Sequence, residues 1–455
     1  MATTVLWLRR DLRLHDHPAL HAAHEAATGG DVLPLFVLDP TLLASAGRAR
    51  LASLRWALVQ AHEEYDGSLV VRSGDPATVV PRVVQEAGAS SVHVSGESTP
   101  YGRLRGRRVH DALGDVPMHA AGTPYAVSPG QVRTTSGSPY QVFTPFSRAW
   151  RDHGWPAPES APAGLRFCRR VDSEGLDALP EIDDAPGQDV PALTRWREFL
   201  DEDLATYGSE RDRADLDVTS RMSEHLKYGT IHPRTMLADI AAHEAGASTS
   251  AQKFVTELAW REFYADVVWH HPRSAWHDYR DTLAQLRYDD PETDGAAREA
   301  LEAWCTGTTG YPFVDAGMRQ LLTRGWVHNR VRMVVASFLT KDLHIWWPHG
   351  ARHFLDHLRD GDLASNNHGW QWVAGTGTDA SPYFRVFNPV TQGHKFDPDG
   401  DYVRTYVPEL AHVRGKAVHE PWTADGAYDH GYPRPIVDHA EERRETLARY
   451  EAATA

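Results

Sequence analysis

Between residues 360 and 390 the chain reads DGDLASNNHGWQWVAGTGTDASPYFRVFNPV, a mixture of side chains suited to gripping a planar molecule with polar edges. Two carboxylates, Asp360 and Asp362, precede two amides, Asn366 and Asn367, and two indoles, Trp370 and Trp372. Gly375 and Gly377 then lead to Tyr383, Phe384 and Phe387. The rings offer packing area, while carboxylates and amides buried beside them need hydrogen-bond partners. A flavin in a helical pocket meets both demands. So does a tryptophan-rich core turn beside a solvated acidic loop, and these residues alone leave both readings open.

A group of that size has to be held by helices. Beyond residue 191 helix-length apolar patterns follow one another, at about 191–207, 233–245, 249–269, 312–324, 328–342 and 351–359, with no convincing strand among them. In the third, Phe254, Leu258, Arg261 and Ala265 share a face, and Glu257 and Trp260 lie on neighbouring ones. That helix is either a core helix with paired charges or a pocket wall. Thr219, Ser220 and Ser223 introduce a short helix that ends near Lys227-Tyr228-Gly229; hydroxyls and free N–H groups there suit an anion such as a pyrophosphate, or ordinary capping. His349, His353 and His357 recur every four residues, yet no cysteine or H-E-x-x-H pattern accompanies them, and no metal is expected.

The first third has a different texture. Apolar runs at 5–8, 32–38, 69–71 and 91–94 alternate with helical segments, of which 48–64 is the clearest, predicting an α/β domain with a parallel sheet over about 1–125. The first run is followed by Arg9-Arg10-Asp11-Leu12-Arg13, so the fold is Rossmann-like without the glycine fingerprint. A ligand beyond the strand ends would lie near Asp39, Gly74, Glu97 and Tyr101, where charge pairing is the alternative use of the same residues. Residues 151–191 hold Pro156, Pro158, Pro162, Pro180, Pro186 and Pro191, which marks 126–190 as a connector between the α/β domain and an all-helical region over 191–455.

A chain of 455 residues with 41% hydrophobic and 24% charged residues is long enough for two or three domains. Its first residues have no signal-peptide core, no apolar window is long enough to span a membrane, and two cysteines make no disulfide framework. A cytoplasmic protein without membrane attachment is expected. The net charge of −15 argues against nucleic acid, but between 319 and 352 six arginines or lysines face one acid, Asp342, so a local basic surface is compatible with it.

RRDLRLHDHPAL at 9–20, TSRMSEHLKYGTIHPR at 219–234, ELAWREFY at 257–264, TGYPFVDAGMRQL at 309–321, GWVHNRVRMVVASFLTKDL at 325–343 and the stretch 360–390 together resemble the photolyase and cryptochrome family. Within it the sequence is most like a class I cyclobutane pyrimidine dimer photolyase. The resemblance implies an antenna-chromophore domain over 1–125 and an FAD- and DNA-binding domain over 191–455. Tyr207, Thr219, Ser220, Arg221 and Ser223 match residues that hold the phosphates and ribose of FAD. Arg261, Arg332, Asp360, Asp362 and Asn366 match those around its adenine and isoalloxazine, with Asn366 beside the ring nitrogen that takes up a proton on reduction. Glu257, Trp260, Asn329, Met333 and Trp372 match the wall against which a flipped dimer rests.

The implied activity is light-driven splitting of cyclobutane pyrimidine dimers in DNA, with a monomer acting on lesion-bearing DNA. Met333 in HNRVRM favours this lesion over the (6-4) photoproduct, for which relatives carry paired histidines there. A cryptochrome-type light receptor is the alternative; only a short charged tail follows Asp438, where such receptors frequently continue. For flavin photoreduction, Trp370 and Trp347 match the inner and middle electron donors, and Tyr288 is expected to end the chain, ahead of Trp346. Arg50, Tyr101 and Lys227 look like the antenna site of relatives that use 8-hydroxy-5-deazaflavin; Arg105 stands where folate users carry a glutamate, while Thr99 replaces an acid found in some deazaflavin users. Arg330 and Lys395 are expected to touch DNA phosphates.

Overall fold

Five strands pair in parallel in the order β3-β2-β1-β4-β5: β1 is Thr3–Leu8, β2 Asp31–Leu38, β3 Val70–Ser73, β4 Ala89–Val94 and β5 Met118–Ala120. The computed structural model describes residues 2–177, 179, 190–379 and 385–454. Tyr383 and Phe384, and the connector prolines Pro180 and Pro186, lie outside the described residues. Every residue of β1 is buried, as a strand covered on both faces requires. Val5, Trp7, Leu33 and Leu35 enter one core, and Leu6, Leu8, Val32 and Phe36 the other, so the period of two feeds both layers. The four expected strands are present within a few residues of their predicted places. β5 escaped notice because its three residues, Met-His-Ala, carry little apolar signal.

The chain forms two compact units, one of residues 1–208 with 219–272 and the other of 209–218 with 273–455. In the first, the segment after β1 is sewn to the turn at 228–234. Leu12 N–H donates to the Tyr228 carbonyl at 3.1 Å, Arg13 Nη1 to the Gly229 carbonyl at 3.0 Å, and Arg234 Nε to Asp16 Oδ2 at 3.1 Å. Gly229 sits at φ +70°, and any Cβ there would collide with the Arg10 carbonyl, so only glycine permits this approach. The Thr249–His270 helix, capped by Ser248 Oγ on the Ala251 N–H, fixes the chain at 126–130 through two buried carboxylates. Glu262 accepts from Val127 N at 3.1 Å and Trp150 Nε1 at 2.5 Å, and Asp266 from Gly130 N at 2.6 Å.

Among the described residues the second unit is helical. Helices Pro312–Arg324 and Asn329–Ser337 pack around Val331, Val335, Phe313 and Leu321, with Trp347–His357 and Leu363–Ala374 against them. The 312–324 prediction coincides with its helix. The predicted 328–342 helix stops at Ser337 and continues as a π-turn over Phe338–Asp342, and the predicted 351–359 helix begins earlier because Pro348 suits a helix's first turn. Gly350 lets the Trp370 ring lie against its backbone; an added Cβ would collide with that ring and come within 2.6 Å of Leu339 Cδ2. Gly350→Ala should therefore cost about 1–3 kcal/mol through overpacking, measured as a lowered melting temperature with changed tryptophan emission. An unchanged melt would contradict this packing.

Candidate functional site

The second unit holds a cavity of about 390 Å³ lined by Asp212, Arg330, Met333, Trp372, Arg385, Phe387, Gln392, Lys395 and Phe396. Six of the nine are placed by capped helices, while Asp212, Arg385 and Phe387 come from irregular segments. The His328 ring accepts from the Arg330 N–H at the head of the Asn329–Ser337 helix, and the i, i+3 spacing puts Arg330 and Met333 on one face. Asp362 Oδ1 accepts from Ser365 N at 3.0 Å and starts the Leu363–Ala374 helix, which carries Trp370 and Trp372. Asn388 caps the Pro389–Phe396 helix on Thr391 N at 2.9 Å and so orients Gln392, Lys395 and Phe396. Three cations line the cavity against one carboxylate, which makes it locally positive in a chain of net charge −15. Arg330 Nη2 pairs with Asp212 at 3.0 Å, and both Arg330 (4.6 Å) and Lys395 (5.2 Å) lie over the Phe396 ring.

Four of the expected lesion and DNA residues, Met333, Trp372, Arg330 and Lys395, thus meet at one wall. Asn329 is exposed at its helix's first position and outside the lining. Asp212, Arg385, Gln392 and Phe396 were missed: Asp212 and Arg385 come from separate irregular segments joined only by folding, while the i, i+4 spacing of Gln392 and Phe396 around Lys395 on one helix was a signal that went unread. In the first unit Glu257 and Trp260 are half-buried on one helix, and Trp260 stacks on Phe143 with centroids 3.6 Å apart, with Phe263 and Tyr264 also against its ring.

The flavin-type residues are distributed likewise. Tyr207 is buried edge-on against Phe199 and Phe254. Thr219, Ser220 and Arg221 run into the Ser223–Tyr228 helix, with Arg221 at φ +56°, a conformation uncommon outside glycine. Ser223 is exposed. Arg261 donates to the carbonyls of Pro124 (2.8 Å) and Leu226 (3.1 Å) and lies over Tyr125. In the second unit Arg332 Nη2 stands 3.8 Å from Asp360 Oδ2, and its Nε donates to the Val327 carbonyl at 2.8 Å. Asn366 gives its amide hydrogens to the Ala351 carbonyl (3.0 Å) and Asn367 Oδ1 (2.8 Å), so its own oxygen is the atom left to accept.

Thr219 Oγ1 and Asp360 Oδ1 are buried without a hydrogen-bond partner in the protein. Native proteins rarely tolerate such atoms, and a polar ligand removes the cost. Each residue, within its own unit, thus offers a polar contact of the kind FAD would satisfy. Trp370 is buried edge-on against Trp304 and Phe354; Trp347 is fully buried, donates to Asp278 Oδ1 at 2.6 Å and touches Trp346 with centroids 6.3 Å apart. Tyr288 packs with Leu283, Leu286 and Tyr450, its hydroxyl buried without a partner.

At the carboxyl ends of β2 and β4, Tyr101 donates to Asp39 at 2.7 Å, and buried Arg105 pairs with Asp39 (3.5 Å) and Glu97 (3.2 Å). The expected polar cluster exists there, with charge pairing joining its members. Arg50 is tied by its carbonyl to Tyr228 OH at 2.9 Å, and half-buried Lys227 precedes that tyrosine. Gly74 closes the strand end by donating to the Leu38 carbonyl. His353 and His357 meet with ring centroids 4.4 Å apart and planes tilted by 41°, and among the described residues no three ligand-type side chains are placed to hold a metal ion.

The family signature "DNA photolyase" matches residues 4–163, and "FAD binding domain of DNA photolyase" matches 254–452. A deoxyribodipyrimidine photo-lyase of Streptomyces griseus is 42% identical over 474 residues, spanning 100% of this chain and 99% of the relative. The chain belongs to the photolyase and cryptochrome family. Its fold matches a class III photolyase from Agrobacterium tumefaciens at TM-score 0.89 and 37% identity, covering 100% of this chain and 98% of that one. It also matches a Synechocystis cryptochrome at 0.88 and 26%, covering 98% and 99%. This photolyase-family chain is an enzyme of the type that acts on damaged DNA, and it carries the family's FAD-binding domain. No helix among the described residues is long and apolar enough to cross a membrane.

Proposed function

We propose that the protein is a class I photolyase that splits cyclobutane pyrimidine dimers in DNA under light. The observation that carries this reading is the cavity in which Trp372, Met333 and Phe387 offer apolar surface, rimmed by Arg330, Arg385 and Lys395. Apolar planes suit two fused pyrimidines, and cations suit the phosphates beside them. A dimer is already poorly stacked, so its extrusion from the duplex costs less than that of intact bases.

Trp260 and Trp372 each offer the dimer an apolar plane, and Glu257 hydrogen-bonds a pyrimidine edge and stabilises charge developing there. Asn329 and Met333 complete the contact surface. Tyr207, Thr219, Ser220, Arg221 and Ser223 hold the phosphates and ribose of FAD, while Arg261, Arg332, Asp360 and Asp362 hold and orient its rings. Asn366, its amide hydrogens already committed, presents its oxygen to a protonated ring nitrogen. When bound, a fully reduced flavin supplies one electron under blue or near-ultraviolet light and regains it after the dimer's two carbon–carbon bonds have parted, so no net oxidation occurs. The functional modules are 1–125 for the antenna, 126–190 as connector and 191–455 for FAD and DNA, in a monomeric cytoplasmic protein. The Synechocystis likeness favours a second reading, a cryptochrome-type receptor without repair. Light-dependent loss of thymine dimers on incubation with the reduced protein separates the two: repair supports the first and its absence the second.

Arg50, Tyr101 and Lys227 hold an 8-hydroxy-5-deazaflavin antenna. A visible spectrum of protein from a host able to make that compound should show a second absorber in its band; a flavin-only spectrum rejects the assignment. Trp370, Trp347 and Tyr288 carry electrons to the flavin during photoreduction, with Trp346 the competing end point. Burial holds the Tyr288 phenol well above its ordinary pKa, so its oxidation has to release a proton. Transient absorption should show a tyrosyl radical that disappears in Tyr288→Phe. A tryptophanyl radical as the final species in the parent transfers that role to Trp346.

A further inference from the structure

The π-turn at Phe338–Asp342 contains a lysine with no exposed surface, and its ammonium points at the segment that lines the cavity. Lys341 Nζ donates to the Arg385 carbonyl at 2.9 Å. One turn earlier on the same element, fully buried Ser337 Oγ accepts from the Phe387 N–H at 3.2 Å. The two tethers leave residues 337 and 341 and reach 385 and 387, whose side chains both line the cavity. A π-turn adds a residue to the helical repeat, and such turns recur at functional sites. Here it lets the helix carry a seryl acceptor and a lysyl donor to the backbone two residues apart. Burying an ammonium is costly, and desolvation pushes Lys341 down to about 8.

The turn is itself fixed from behind. Thr446 donates to the Lys341 carbonyl, His439 Nδ1 meets Asp342 Oδ1 at 2.5 Å, and His344 Nε2 meets Glu442 Oε2 at 2.8 Å, all from the start and middle of the His439–Thr454 helix. Lys341 also lies 5.8 Å from the centroid of the Tyr450 ring on that helix.

We infer that Ser337 and Lys341 are positioning residues for lesion recognition: they hold the Arg385–Phe387 backbone so that a guanidinium and a phenyl ring face the damaged site. The inference rests on the cavity being the dimer site. Because the tethers end on backbone atoms, they set where both side chains start without contacting DNA themselves. A misplacement of about 1 Å is enough to cost much of a site's function.

The test compares wild type with Ser337→Ala, Lys341→Met and Arg385→Ala, singly and paired. Each is titrated with an oligonucleotide carrying one thymine dimer and with the same strand undamaged, alongside flavin absorbance and thermal melting. Ser337→Ala removes a tether without stranding a buried charge, so it reads the effect even where Lys341→Met fails to fold. The expected result is about a tenfold weaker affinity of Ser337→Ala for the dimer strand, where both the Phe387 and Arg385 contacts are lost, with flavin content unchanged, the melt lowered by no more than one lost hydrogen bond, and a smaller loss on the undamaged strand, where only the Arg385 contact is lost. Its loss combined with Arg385→Ala should be less than the sum of the separate losses. Wild-type affinity in Ser337→Ala, an equal loss on both strands, or strict additivity with Arg385→Ala would overturn the inference. A wild-type protein that binds both strands alike removes the reading of the cavity itself, and the inference with it.

Discussion

Arg330→Ala combined with Lys395→Ala is expected to flatten the log–log salt dependence of lesion-DNA binding by about 1.8, at about 0.9 per phosphate contact removed. The two cations line one cavity and flank one ring, Phe396, which keeps both heads close together over an apolar base. Arg330 is also paired with Asp212, which is partly exposed and is rehydrated when its partner is lost, so the protein should stay folded. At physiological salt the affinity should drop by roughly a factor of ten or more, for damaged and undamaged strands alike, because phosphate contacts position without reading bases. Trp372→Ala is a useful contrast: losing a stacking plane should cost about 1–3 kcal/mol on the dimer strand and leave the salt slope as it was. Salt titrations of both variants by fluorescence anisotropy decide the matter. A slope unchanged in the double variant would show that these cations never touch the backbone.

Acid should unfold the first unit early. His232 Nδ1 stands 2.8 Å from Asp16 Oδ2, and its Nε2 meets the Thr123 carbonyl at 2.9 Å, so the ring bridges three separate segments. Burial, helped by the Arg13 charge, lowers His232 to about 4, and desolvation lowers His17 and His93 to about 4 as well. A histidine whose folded pKa lies below its unfolded value of about 6.5 binds fewer protons folded than unfolded between those values. Stability is therefore fully present above about 6.5 and is lost as the pH falls toward 4. At about 1.4 kcal/mol per unit, His232 alone contributes about 3 kcal/mol to that loss. Glu262 works in the opposite sense: desolvation raises it to about 7, so its contribution weakens as pH rises from about 4.5 through 7. Denaturant melts at pH 7 and pH 5 should show a lower midpoint in acid, and His232→Gln should reduce the difference. Equal midpoints at the two values would rule out the linkage.

Much of this architecture was legible because it rests on short-range patterns. Buried parallel strands read as unbroken apolar runs, and the helices at 48–64 and 312–324 were placed within their bounds by spacing alone. The order β3-β2-β1-β4-β5 and the packing of 219–272 with the α/β region depend on contacts between distant residues, such as Asp16 with Arg234, which no local window contains. The site divides the same way. Met333, Trp372 and Arg330 could be named from blocks that resemble the family, and Lys395 as a basic residue just beyond the last of them. Asp212 could not, because an isolated acid has no signature until folding brings it to Arg330. The π-turn was hidden for a related reason: one extra residue per turn hardly alters the apolar pattern, but it redirects Lys341 toward Arg385.

The most direct measurement is photochemical. Purified protein with fully reduced flavin, mixed with an oligonucleotide carrying one thymine dimer, should restore the two thymines under blue or near-ultraviolet light and leave them fused in the dark, with no net change in the flavin's oxidation state. Reduced, flavin-loaded protein that binds the dimer strand yet restores no thymines on illumination would contradict the repair function.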